Sequence, residues 1–317
     1  ETALGPPRTL ALRGLRGSPR VYELPWRGDA GISPGAPVVP AVPAREVLLE
    51  RDRERGELRA LLSGAADGAG SLVVLDGPAG IGKTTLALDA AASAEGRGFQ
   101  VLRTRASEIE RAIPFGVVRR LFEAPLQALD DERRIALLQG AVTPAAEMLG
   151  RSPTAAEGQD VVHVLNGLAW LVAGLAQDAP VAMVVDDAQW ADEQSLAWIE
   201  FMATRVLELP VFMLVGARSG PDSDALLARL SVAPGVRVVS VSPLTRDGVA
   251  AMVRDVWPEA EQEFCRACHD ASAGNPFFLR EILASARAAG VEPTAVAAER
   301  LQDITPDSVA RMVLGRL

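Results

Sequence analysis

Short strand-like runs recur along the chain at residues 72–75, 100–105, 181–185, 211–216 and 236–241, separated by longer stretches whose apolar positions fall at helical spacing. The run 181–185 has no polar member, the mark of a central parallel strand covered on both faces. Helical spacing predicts helices over 48–62, where the opposite face is charged, and over the segment that follows Thr84. Further helices are expected over 113–122, opened by Pro114 at its first helical position, and over 132–139, 155–176, 195–207 and 225–230. Strands alternating with helices predict an α/β fold, a doubly wound and mainly five-stranded parallel sheet. Strand signals cease after Thr245, and 246–256, 259–271 and 276–288 predict a helical lid.

The flanks read differently. Residues 9–24 alternate around Gly17-Ser18-Pro19, which fits a β-hairpin, and 28–44 carry Pro34, Pro37, Pro40 and Pro43, which fits an extended linker. At the other end, Thr305 suits an N-cap and Pro306 the first position of a helix running to Leu317. The expected plan is a hairpin over 1–27, a linker over 28–44, an α/β core over 45–243, a lid over 244–292 and the start of a following segment over 293–317.

Composition narrows the classes. With 317 residues, 49% of them hydrophobic, the chain can bury one large core or two modest ones. Its net charge of −9 offers no broad basic surface, so this chain is not expected to hold nucleic acid itself. The apolar stretch 164–175 is too short to span a bilayer. Two cysteines and the lack of a charged-then-apolar leader predict a cytoplasmic compartment, and Glu1 at the first position suggests an excerpt of something longer.

The chemistry concentrates after the first core strand, where Gly77-Pro78-Ala79-Gly80-Ile81-Gly82-Lys83-Thr84 runs into the helix that Thr85 continues. Polyphosphate needs many donors converging on a small volume. Glycines let a loop turn its N–H groups inward without Cβ clashes, and the helix N-terminus adds its own amides and positive dipole end. Lys83 is expected to bridge the β- and γ-phosphates of ATP or ADP, and the Thr84 hydroxyl to sit on Mg²⁺. A plain Gly-rich βα turn would give the same local pattern. The run 181–185 ends in Asp186 and Asp187. Asp186 is expected to hold the Mg²⁺ shell and Asp187 to orient an attacking water, although a pair of aspartates also suits the N-terminus of the next helix. Arg218, at the end of the run 211–216, is placed to sense the γ-phosphate or to make a surface ion pair. Cys265-Arg266-Ala267-Cys268-His269 matches the attachment pattern of c-type haem, but it lies inside an amphipathic helix pattern, with Phe264 and Cys268 on one face. Gly274-Asn275-Pro276 is expected to turn into the last lid helix, with Phe277 and Phe278 anchoring it in the core.

Together these motifs resemble the signalling P-loop ATPases of the STAND class, an AAA-like group, and specifically the ATPase region of the large ATP-binding LuxR-family transcription regulators. Leu48-Leu49-Glu50-Arg51 is similar to the family's opening helix, and Arg51 is thereby expected near adenine; the family often has Gly where this chain has Glu50. The block 105–122, the segment from Asp186 to Asp192 with Ser195, a sensor arginine at Arg218, and the GxP motif at Gly274-Asn275-Pro276 carry the rest. The resemblance implies that Pro276 meets the nucleotide in the closed state. Residues 9–24 resemble the closing strands of class III nucleotide cyclase domains. The resemblance further implies a nucleotide-controlled switch that signals to flanking domains of the same polypeptide, and the chain is expected to be a weak ATPase that forms a nucleotide-dependent homo-oligomer. The segment 305–317 resembles the first helix of a winged-helix module, and a DNA-binding helix-turn-helix is expected outside this chain. A scaffold that holds ADP without turnover and a small-molecule phosphotransferase are the alternatives. Asp187, one methylene shorter than the usual glutamate, favours the scaffold, and a second arginine-rich lid, which the phosphotransferase needs, is missing.

Overall fold

The computed structural model describes residues 8–9, 20–21, 48–150, 160–220, 228–230 and 232–301. The chain divides into a unit over residues 1–46 and another over residues 47–317. In the first, Arg8–Thr9 pairs antiparallel with Arg20–Val21 in the register Arg8↔Val21, Thr9↔Arg20. The Gly17-Ser18-Pro19 turn, the linker 28–44 and the closing helix 305–317 lie outside the described residues.

The second unit is built on strands β1 (Ser71–Gly77), β2 (Gln100–Arg105), β3 (Val181–Asp186), β4 (Val211–Arg218) and β5 (Val236–Ser240). They form one five-stranded parallel sheet in the order β2-β3-β4-β1-β5. Side chains of a strand alternate between the two faces, and each face here has its own core. Leu72, Val74, Met183, Val185, Met213 and Val215 face one side. They pack with α3 (Gly116–Ala128), α5 (Thr143–Gly150), α6 (Val161–Leu175) and α7 (Glu193–Arg205). Val73, Leu75, Ala182, Val184, Phe212 and Leu214 face the other side, against α1 (Asp52–Ala66) and α2 (Lys83–Glu95). A short helix, α4 (Asp131–Leu137), stands where 132–139 is expected. Each fully buried Leu or Val on these faces contributes about 1.5–3 kcal/mol relative to exposure, which makes the two-sided sheet the rigid base of the fold.

Beyond the sheet, α8 (Arg246–Val256), α9 (Gln262–Ser272), α10 (Pro276–Ala288) and α11 (Ala295–Leu301) enclose a third cluster that includes Val249, Val253, Phe264, Cys268, Leu279 and Ile282. Cys268 is fully buried and burial, then the neighbouring Cys265, pushes its thiol up to about 12. That fits the packing reading of the Cys-x-x-Cys-His stretch. His269 instead contacts Asp270, and no group of three His, Cys, Asp or Glu side chains able to hold a metal occurs among the described residues.

Several helix starts differ from expectation: α7 opens at Glu193 where 195 is expected and α9 at Gln262 where 259 is expected, and three others show their reason. The first helix opens at Asp52, four residues after Leu48, because Glu50 takes a left-handed φ of 55° that no helix accommodates. Helix α3 opens at Gly116, so Pro114 precedes it; Phe115, at φ 56°, makes the turn. Its amides are satisfied by a distant residue, for the Asp192 carboxylate accepts from Phe115 N at 2.7 Å and Val117 N at 3.4 Å while also accepting from Ser195 N at 2.9 Å at the start of α7. Helix α6 opens at Val161, capped by Asp160, and residues 155–159 of the expected helix lie outside the described residues. Of the expected helix 225–230, only 228–230 are described. Among the described residues no helix is long and apolar enough to cross a membrane.

Candidate functional site

The carboxyl ends of β1, β3 and β4 bring the chemistry to one edge of the sheet, since the register sets Gly77 opposite Arg218 and Arg105 opposite Asp186. Between β1 and α2 the loop carries Gly80 at φ 77° and Gly82 at φ 104°, conformations that side-chain-bearing residues rarely adopt. Gly82 is the N-cap of α2, so the first-turn amides of Lys83, Thr84 and Thr85 begin without a side-chain cap from that position. A Cβ on Gly77 would lie 3.1 Å from both Ile81 and the Val241 carbonyl, which explains why the loop's first position must be small.

Lys83 is buried, and its Nζ donates to Gly77 O at 2.6 Å and Pro78 O at 2.9 Å. Burial lowers its pKa against the opposing pull of Asp186, with Arg218 lowering it further. An ammonium held in this way, buried on backbone carbonyls with no carboxylate of the described residues in direct contact, favours an added anion. The Thr84 hydroxyl donates to Asp186 Oδ2 at 2.6 Å, and Asp186 Oδ1 accepts from Asp187 N at 2.9 Å. Gly216 on β4 leaves the room: a Cβ there would lie 2.7 Å from Asp186 Oδ1. A hydroxyl and a carboxylate oxygen in contact suit a hard cation such as Mg²⁺, which takes one or two protein oxygens and fills its octahedron with phosphate and water.

Asp187 also takes a left-handed φ, 53°, and its carboxylate is enclosed by donors. Gln189 Nε2 donates to Oδ1 at 2.9 Å, Arg105 Nε donates to Oδ2 at 2.7 Å with Nη2 at 2.6 Å, and Arg218 Nε stands 3.4 Å from Oδ1. Burial works to raise its pKa, but the hydrogen bonds from Gln189 and Arg105 and the charges of Arg105 and Arg218 outweigh it and hold the carboxyl below its ordinary value. Arg218 thus lies beside Asp187 and close enough to Lys83 to act on it, and its backbone N donates to Gln189 Oε1 at 3.2 Å.

Arg51 is almost completely buried, with its guanidinium on Ile81 O at 3.2 Å and Glu50 O at 3.3 Å, so it braces the loop's backbone. Its pKa is lowered by burial, with Glu54 and Glu50 opposing. Glu50 reaches the lid, where its carboxylate accepts from Thr245 N at 2.7 Å and from the Thr245 hydroxyl at the start of α8. Pro276 stands at the first position of α10, half-buried. The aromatic pair behind it divides: Phe278 packs on the lid core, whereas Phe277 is 41% exposed because it lies over Gly80 of the loop and not in the core. Arg105, Gln189 and Asn275 carry contacts that sequence reasoning left unassigned. An arginine ending β2 one strand away from a strand-end aspartate was the signal for Arg105; nothing local marks Gln189.

No curated protein matches this sequence. Among solved structures, Cdc6p from Pyrobaculum aerophilum is 16% identical with a TM-score of 0.52, covering 80% of this chain and 65% of that one. The ORC1 protein of Aeropyrum pernix, solved in complex with DNA, is 19% identical with a TM-score of 0.46 and covers 81% of this chain and 66% of that one. A STAND protein with a tetratricopeptide repeat sensor from Pyrococcus horikoshii is 16% identical with a TM-score of 0.40, covering 76% of this chain and 30% of that one. The chain therefore spans less than two thirds of the length of the Pyrobaculum protein, whose likeness shows the P-loop NTPase fold. Residues 47–215, more than half of the 317-residue chain, match the family of the AAA ATPase domain, and the chain belongs to that family.

Proposed function

We propose that this chain is a nucleotide-controlled switch module, similar to the ATPase region of STAND-class LuxR-family regulators, in which ATP and ADP set the position of the helical lid for flanking domains. One observation supports it most directly: Thr84 and Asp186, 102 residues apart in sequence, meet through a 2.6 Å hydrogen bond at the mouth of the Gly77–Lys83 loop. Amides of the loop and of Lys83, Thr84 and Thr85 would receive the phosphates, with Gly77, Pro78, Ala79, Gly80, Ile81 and Gly82 supplying the curve and Lys83 the charge. Thr84 and Asp186 would hold Mg²⁺, which when bound neutralises the phosphate oxygens. Arg51 braces the loop beside the place where the family resemblance puts the base, and Pro276 opens the lid helix that faces it. Arg218 would sense the γ-phosphate and Asp187 would orient water.

The same geometry supports a scaffold that holds ADP and turns over slowly or not at all, because every oxygen of Asp187 already accepts from Arg105, Gln189 or Arg218. The domain plan belongs to this proposal: core 45–243, lid 244–292, a cyclase-like hairpin before them and a winged-helix-like segment after. So do a cytoplasmic location, a nucleotide-dependent homo-oligomer and DNA binding by residues outside this chain. The nucleotide recovered by denaturing purified protein tests the reading. Recovery of ATP or ADP that exchanges with added ATP supports the switch, tightly held ADP without exchange supports the scaffold, and the lack of any nucleotide bound or taken up contradicts both.

A further inference from the structure

Asn275 performs two tasks with one side chain. Its Oδ1 accepts from Phe277 N at 3.0 Å and Phe278 N at 3.4 Å, which caps α10, and its Nδ2 donates to Ala79 O in the P-loop at 2.9 Å. The partners fix the orientation of the amide, because backbone N–H groups only donate and a carbonyl only accepts. Phe277 N also lies 3.3 Å from Gly80 O, so two consecutive loop carbonyls are held by the start of the lid helix. In a planar trans peptide the C=O and N–H of one unit point in opposite directions. Holding the Ala79 and Gly80 carbonyls on the lid side therefore turns the N–H groups of Gly80 and Ile81 away from the lid, and Ile81 N donates there to Pro78 O at 3.4 Å. The approach is close: a Cβ on Gly80 would lie 2.7 Å from Phe277 Cβ and 3.0 Å from Asn275 Oδ1. On its other flank the same turn is joined to the exit from the sheet, since Gly274 O accepts from Leu244 N at 2.8 Å and a Cβ on Gly274 would lie 2.3 Å from Leu244 O. Asn275 itself is 7% exposed.

We propose that Asn275 is a positioning residue of the nucleotide site, tying α10 to the P-loop so that the lid's position and the orientation of the loop peptides change together. The inference rests on the reading that the P-loop takes nucleotide. It differs from a plain capping role, which would stabilise α10 and leave the loop alone.

Asn275→Ser and Asn275→Asp separate the two tasks in the full chain. Both keep an oxygen that accepts from the first-turn amides of α10. Serine is too short to reach Ala79 O, and aspartate has no N–H to give it. The expected result is a melting temperature without nucleotide close to that of the wild type, faster hydrogen exchange over residues 77–85, and ADP affinity weakened roughly five- to tenfold in the serine variant. The aspartate variant should bind ADP more weakly still, because its carboxylate would face the Ala79 carbonyl, acceptor against acceptor, and push the loop away. Unchanged loop exchange and unchanged affinity in the serine variant would overturn the proposal, as would a lower melting temperature with no change in loop exchange. If the wild type bound neither ADP nor ATP, the nucleotide reading would fail while the exchange measurement still decided the tether.

Discussion

Asp187 is the residue whose chemistry the surrounding charges decide. Its depressed pKa means that the folded state prefers the carboxylate, so its pairing contributes stability that is full above the ordinary carboxyl value of 3.8 and is lost as the pH falls below it. Arg105 is 67% exposed at its side chain, so its part is modest, about 1 kcal/mol or less. Arg105→Ala should lower stability by that amount at neutral pH and by less as the pH drops below 3.8, which denaturant titrations across the acid range would read. It should also raise ATP turnover, because one oxygen of Asp187 is freed for water. Turnover unchanged in Arg105→Ala would place the water-orienting role elsewhere. The strand-end position of Asp187 was legible from the apolar run before it. Its enclosure was not, because Arg105 and Arg218 reach it from neighbouring strands 82 and 31 residues distant in number, and only the sheet order brings them together.

At the scale of elements, most strands and helices were readable because burial on both faces leaves runs such as 181–185 without a polar residue. Starts were read less well where a distant group completes them. The sequence around Pro114 suggested a proline-opened helix, yet α3 is capped from α7 by Asp192, and that carboxylate serves two helix starts at once. Asp192 is 2% exposed and also accepts from the Ser195 hydroxyl at 2.6 Å. Asp192→Ala would leave the amides of Phe115 and Ser195 buried without partners and should destabilise the fold by about 3 kcal/mol, measured by chemical denaturation. A loss below about 1 kcal/mol, the worth of a single ordinary cap, would contradict the shared-cap account. Likewise the turn before α10 was recognised by its Gly, Asn and Pro. Its contact with the P-loop was not, since Asn275 and Ala79 are 196 residues apart.

Across the whole ATPase unit, the sheet edge, the loop and the lid form one connected arrangement. Glu50 and Arg51 are adjacent in the chain, yet one holds the start of α8 and the other the Ile81 carbonyl. The turn 274–276 joins the sheet exit to the same loop. A phosphate-driven shift of the loop therefore has direct hydrogen-bonded routes into the lid, which is what a switch requires. The central claim is that the Gly77–Lys83 loop takes nucleoside polyphosphate, and titration calorimetry of ATP with Mg²⁺ into the wild type and Lys83→Ala tests it most directly. The account predicts binding by the wild type and at least a roughly hundredfold loss in Lys83→Ala, the cost of removing one charged partner from the phosphates. Equal affinity in the two proteins would contradict it.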